Sequence, residues 1–142
     1  MNLAVVGLSH HTSSVELRER LHFAEKTLPG ALMNLREQLG DAGIVILSTC
    51  NRVEIYASTE ASSGEVHDAI RKFIGDWHKV PESEYSEALY EYNGRETIGH
   101  LFRVTSSLDS LVVGEAQILG QVHDAFLVAQ TEQCADKVTP AL

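Results

Sequence analysis

From Ile44 to Ala57 the chain runs IVILSTCNRVEIYA, and two strand-like runs flank its centre. Ile44-Val45-Ile46-Leu47 is short, apolar and rich in β-branching, the pattern of a buried strand. Beyond the centre, Val53, Ile55 and Ala57 alternate with Glu54 and Tyr56, which predicts a strand half buried on one face. The residues between, Ser48 to Arg52, are too few for a crossover, so the strands are expected to be antiparallel neighbours joined by a tight turn. Such a turn lifts Cys50 out of the sheet. A thiol attacks as thiolate, and its free pKa is about 8.5. Arg52, two residues on, carries a permanent charge that favours a thiolate and grips a carboxylate bidentately. The competing reading makes Cys50 a buried apolar residue at a strand end.

Working outward, Leu3-Ala4-Val5-Val6-Gly7 reads as a first strand buried on both sides, followed by a polar loop from Leu8 to Ser14. Ser13 or Ser14 suits the cap of a short helix through Arg20, with Glu16 or Glu19 in its first turns. His10 and His11 lack the spaced pairing of zinc ligands and read as loop histidines that bond locally or line a site. A helix is predicted over Thr27–Leu39, with Leu28, Leu32, Leu35 and Leu39 on one face and Gly40 as its stop. A second spans about Ser63 to Lys79, striped by Val66, Ile70, Phe73, Ile74 and Trp77 and closed by Val80-Pro81. Ser86 to Tyr92 is a weaker strand.

The order strand, helix, strand, strand, helix, strand is that of a split βαβ unit, an α+β ferredoxin-like sandwich with helices on one face of an antiparallel sheet. This core is expected over residues 1–92. Residues 93–142 form a helical extension: a helix over Arg95–Thr105 with Ile98, Leu101 and Phe102 inward, and a last helix marked by Ile118, Val122, Ala125, Phe126 and Ala129. His100 lies beside the first of these stripes and reads either as a satisfied core residue or as a catalyst. Between the helices, Ser106–Val122 sets Ser, Asp, Glu and Gln among apolar residues and glycines. That mixture suits a polar-lined pocket, because buried polar groups need partners.

The 142 residues carry a net charge of −9, which argues against a broad nucleic-acid platform but not against a local basic patch. Cys50 and Cys134 suggest no disulfide framework, so a reducing cytoplasm is the expected setting. Neither a signal peptide nor a membrane span is read, no metal site is expected, and no G-x-G-x-x-G follows any strand.

Several runs together resemble glutamyl-tRNA reductase. They are Ser9-His10-His11-Thr12, Leu17-Arg18-Glu19-Arg20, Leu47-Ser48-Thr49-Cys50-Asn51-Arg52 with Glu54-Ile55-Tyr56, and His100 to Val104 continuing from Leu108 to Val122. The resemblance covers most of the chain and is weakest over Ala61–Gly94. It implies an enzyme that makes glutamate-1-semialdehyde from glutamyl-tRNA and NADPH, the first step of five-carbon tetrapyrrole synthesis. It further implies Cys50 as the nucleophile that forms a thioester and His100 as a residue important for activity. Thr49, Cys50, Asn51, Arg52, Ser110, Glu115, Ala116, Gln117 and Gln121 are implied as the substrate pocket. Ala116 stands where many members have proline, and His11 where the family often has lysine. In the family an NADPH-binding domain and a helical dimerisation domain follow, so this chain is expected to be a fragment that binds no cofactor itself. The whole enzyme is expected to be a cytoplasmic homodimer that hands its aldehyde to the downstream aminomutase. The acidic balance fits a domain that grips only the glutamyl end of the tRNA. Two other readings compete: a stand-alone Cys50/His100 thiol acyltransferase or hydrolase, and a non-catalytic ligand-binding module.

Overall fold

The computed structural model describes residues 2–40 and 42–105. In chain order these form β1 (Asn2–Ser9), α1 (Val15–Leu21), α2 (Leu28–Gln38), β2 (Gly43–Ser48), β3 (Arg52–Thr59), α3 (Ser63–His78), β4 (Tyr90–Asn93) and α4 (Arg95–Thr105). The strands make one antiparallel sheet in the order β2-β3-β1-β4, an α+β architecture.

Local chemistry accounts for the helix ends. The Ser14 side chain accepts the Leu17 N–H to start α1, and the Ser62 side chain does the same for Glu65 at α3. Gly40 follows α2 at φ +61, a left-handed turn that glycine adopts without strain. The apolar stripes of α2 (Leu28, Ala31, Leu32, Leu35) and α3 (Val66, Ile70, Phe73, Ile74) join Ile44, Ile46, Ile55, Val6 and Leu8 in the core. Trp77 packs against this core from its edge.

Four details differ from the sequence expectations. β1 does not stop at Gly7 but runs on to Ser9. β4 is only Tyr90–Asn93, because Ser86–Ala88 winds into a 3₁₀ turn. β3 is not half buried: all eight of its residues are covered. From α4, His100 meets Glu54 on this strand; the buried residues of α4 are Thr97, His100 and Val104, whereas Phe102 is exposed. Polar side chains can turn inward here because they are paired. Thr97 Oγ1 donates to Leu3 O at 3.4 Å, and His100 meets Glu54.

The register explains Gly7. It sits between Glu54 on β3 and Tyr90 on β4 in one row across the sheet. A Cβ at Gly7 would lie 2.6 Å from the Val53 carbonyl oxygen and 2.8 Å from Glu54 Cγ. Without one, the Tyr90 side chain reaches across to Glu54. Gly7→Ala is therefore expected to destabilise the fold by about 1–3 kcal/mol through overpacking against backbone. A urea midpoint equal to that of the wild type would contradict this.

The expected last helix, the polar run from Ser106 and Cys134 lie outside the described residues.

Candidate active site

The turn between β2 and β3 is built around Thr49. Its Oγ1 accepts the N–H groups of Asn51 (3.1 Å) and Arg52 (3.2 Å), while its own N–H donates to the Arg52 carbonyl at 2.8 Å. A hydroxyl bonding forward into the backbone is what makes Thr a turn residue here. The result puts Cys50 at the tip, exposed to solvent. The reading of Cys50 as a buried strand-end residue is thereby excluded.

Two neighbouring elements hold the turn. The His10 N–H donates to the Asn51 carbonyl at 2.8 Å. Arg18, nearly buried on α1, donates from Nε to the Cys50 carbonyl at 3.2 Å and from Nη1 to the Ser13 carbonyl at 2.7 Å. The loop from Ser9 to Ser13 is self-bonded, with the Thr12 and Ser13 N–H groups both 3.0 Å from the Ser9 carbonyl. Arg18 and the His10 backbone thus hold the turn that carries the exposed thiol, and the charges of His11, Arg52 and Arg18 act on the His10 ring beside it. Burial, then the charges of His11 and Arg52, push the His10 imidazole below its ordinary range.

Arg52 does not lie open beside Cys50. Its side chain turns onto the sheet face covered by α4 and is fully buried, with Nη1 3.4 Å from Glu54 Oε2. Glu54 is the centre of a polar cluster. Its Oε1 accepts from Tyr56 Oη at 2.8 Å; its Oε2 accepts from Tyr90 Oη at 2.5 Å and meets His100 Nε2. The His100 ring packs on Tyr92 and Tyr90, with centroids 4.9 and 5.1 Å away. Burial alone would raise the Glu54 pKa. The hydrogen bond and charge of His100, the charge of Arg52 and the Tyr90 hydroxyl outweigh it and hold the carboxyl below its usual range. Burial, then the charge and hydrogen bond of Glu54, keep the Tyr56 phenol well above its ordinary pKa, so it remains a donor.

A lowered carboxyl pKa is a statement about stability. The term is fully present above the unfolded pKa, about 4.3, and is lost as pH falls through the lower folded value. The urea midpoint is expected to drop on acidification below about pH 4, and this drop should shrink in Glu54→Gln. The exposed Arg20–Glu84 pair, 2.9 Å apart, adds little to this.

Of the expected site residues, Thr49, Cys50, Asn51 and Arg52 share the turn and its first strand residue. His100 joins them through Glu54 and Arg52, not through a hydrogen bond to Cys50 among the described residues. Ser110, Glu115, Ala116, Gln117 and Gln121 lie outside the described residues. Sequence reasoning missed Glu54, which alternation had placed toward solvent. The available signal was Arg52-x-Glu54-x-Tyr56, a cation, an anion and a phenol on one strand face. Among the described residues no group of His, Cys, Asp and Glu is arranged to hold a metal, and no helix is long and apolar enough to cross a membrane.

Residues 6–142 match the family described as "Glutamyl-tRNAGlu reductase, N-terminal domain". The chain is 48% identical over 126 residues to a glutamyl-tRNA reductase of Geobacter sulfurreducens, covering 89% of this chain and 29% of that protein. It is 44% identical over 136 residues to that of Paenibacillus macerans, covering 94% and 30%. The solved structure of glutamyl-tRNA reductase from Methanopyrus kandleri superposes with a TM-score of 0.72 at 33% identity, over 95% of this chain and 30% of that one. The chain therefore spans about 30% of the length of these proteins.

Proposed function

The chain belongs to the glutamyl-tRNA reductase N-terminal domain family, and on that premise we propose that it performs the acyl-transfer half of that reaction. Cys50 Sγ attacks the carbonyl carbon of the glutamyl ester. The bond from that carbon to the ribose oxygen breaks, and the thiol proton ends on the departing oxygen. The products are a Cys50 thioester and free tRNA. An aminoacyl ester is already activated, so the chain has mainly to position it and stabilise the oxyanion. The Cys50 N–H and the Asn51 side-chain amide lie in the turn to supply donors. Arg52 and the basic groups around it are the partners for the glutamyl carboxylate. Ser110, Glu115, Ala116, Gln117 and Gln121 complete the pocket from the extension.

The observation that carries this reading is the exposed thiol of Cys50, held at the tip of a Thr49-braced turn whose Cys50 carbonyl accepts from Arg18 and whose Asn51 carbonyl accepts from the His10 N–H. The core over residues 1–92 is read as the ferredoxin-like split βαβ, supported by the strand order β2-β3-β1-β4. Residues 93–142 are read as the extension that completes the pocket, supported by α4 bringing His100 to Glu54.

The sequence has no G-x-G-x-x-G after any strand, which supports reading NADPH as held outside this chain. Reduction to glutamate-1-semialdehyde is assigned to a separate domain of the whole protein. Homodimerisation, transfer of the aldehyde to an aminomutase and a cytoplasmic setting belong to the same proposal for the whole protein. The test is to mix the chain with glutamyl-tRNA in the absence of nucleotide. A burst of deacylation of one tRNA per chain is expected, with no aldehyde formed when NADPH is added. Absence of deacylation of both glutamyl-tRNA and a small glutamyl ester would overturn the reading.

A further inference from the structure

We propose that Glu54 is a positioning residue for the acyl transfer, fixing His100 as the Nε2–H tautomer so that the Nδ1 lone pair is left to accept a proton, and anchoring Arg52 with the same carboxylate. The proposal rests on the acyl-transfer reading above and assigns a role to a residue outside the turn.

The argument begins with acceptor capacity. A carboxylate offers about four lone-pair sites and no proton to donate. Four donors converge on Glu54: Tyr56 Oη, Tyr90 Oη, Arg52 Nη1 and His100 Nε2. The guanidinium can only donate, and three of the four donors converge on Oε2, an arrangement that favours the ionised carboxylate, as does the charge of Arg52. His100 Nε2 facing an ionised carboxylate must then carry its hydrogen, which in the neutral ring leaves the lone pair on Nδ1. That nitrogen is buried and has no hydrogen-bond partner among the described residues. Tyr90 and Tyr92 pack against the ring and hold its plane.

Stability alone is a poor explanation for this arrangement. A buried ion pair often contributes no more than well-packed apolar side chains of similar volume. Here position 7, between Glu54 and Tyr90 in the sheet, also leaves no room for a side chain beside Glu54. Carboxylate, imidazole and a free ring nitrogen are the parts of an oriented general base, in which the acid sets the tautomer and stabilises the imidazolium that forms. The proposed proton route uses that open nitrogen. Nδ1 receives the Cys50 thiol proton as sulfur attacks, then returns it to the ribose oxygen as the ester bond breaks. Arg52 is held by the same oxygen that holds His100, so one carboxylate aligns both the proton carrier and the carboxylate-binding cation.

The test compares the wild-type chain with Glu54→Gln and Glu54→Asp. Nitrogen-15 NMR reads the His100 tautomer. Two reactions read Cys50: acylation by a small glutamyl ester at pH 7, whose leaving oxygen needs a proton, and alkylation by iodoacetamide at pH 9.5, above the ordinary thiol range of about 8.5. Expected are the Nε2–H tautomer in the wild type and an acylation rate about 10²-fold lower in Glu54→Gln, partly recovered in Glu54→Asp. Alkylation should stay within about twofold, because it needs no proton carrier. An Nδ1–H tautomer in the wild type overturns the proposal. So does wild-type acylation by Glu54→Gln, or a parallel fall in acylation and alkylation, which is the mark of a merely structural role. If neither variant folds, the wild-type tautomer decides. If the wild-type chain itself is not acylated, the acyl-transfer reading falls, an outcome distinct from one in which the wild type reacts and Glu54→Gln matches it.

Discussion

Cys50→Ser is expected to abolish transfer of the glutamyl group to the chain, lowering its rate by about 10⁴-fold or more, as removal of a nucleophile does elsewhere. A serine hydroxyl remains protonated at neutral pH and needs a strong base to attack, whereas a thiol reacts as its thiolate. Among the described residues no imidazole is hydrogen-bonded to position 50 in the resting turn. The fold should not notice the change. Cys50 is exposed, and the turn is braced by Thr49, Arg18 and His10 through backbone atoms that serine leaves in place. Its urea midpoint is expected to move by no more than about 0.5 kcal/mol in stability. Activity lost together with stability would instead make Cys50 a packing residue.

The second large effect is on folding. Glu54→Ala is expected to cost about 3–5 kcal/mol, because it removes the anion from a buried cluster and leaves the other members behind. Arg52 stays buried with its charge, and the Tyr56 and Tyr90 hydroxyls lose their acceptor. Such a loss is a large share of a typical domain's stability of about 5–15 kcal/mol. Glu54→Gln keeps the shape and an acceptor oxygen and should cost less. Chemical denaturation of the two variants side by side checks the order. An alanine variant as stable as the wild type would show that the cluster is not held by the carboxylate.

Much of the sheet was legible in the sequence because its signals are local. Ile44–Leu47 and Val53–Ala57 could only pair across so short a link, and β2 and β3 do so from Gly43↔Ser58 to Ser48↔Val53. The helix faces of α2 and α3 followed from their periodicity, since apolar burial there meets only other apolar groups. The failures share one cause. Alternation in β3 and the stripe in α4 were read by assuming that polar side chains face water. Glu54 and His100 bury each other instead, and that pairing spans 46 positions in sequence. Gly7 looked like a strand end for a related reason: its lack of a side chain answers to Glu54, its neighbour on β3. Cys50, Thr49, Asn51 and Arg52 were legible as a candidate site because four chemistry-bearing residues stand together in one turn. The direction Arg52 takes was not, because it depends on Glu54.

The most direct test of the acyl-transfer reading is intact and peptide mass spectrometry of the chain after mixing with glutamyl-tRNA. The expected result is one glutamyl adduct on the peptide containing Cys50, none on Cys134, and tRNA released in equal amount. An adduct on Cys134 alone, or deacylated tRNA with no adduct on the chain and undiminished by Cys50→Ser, would contradict it.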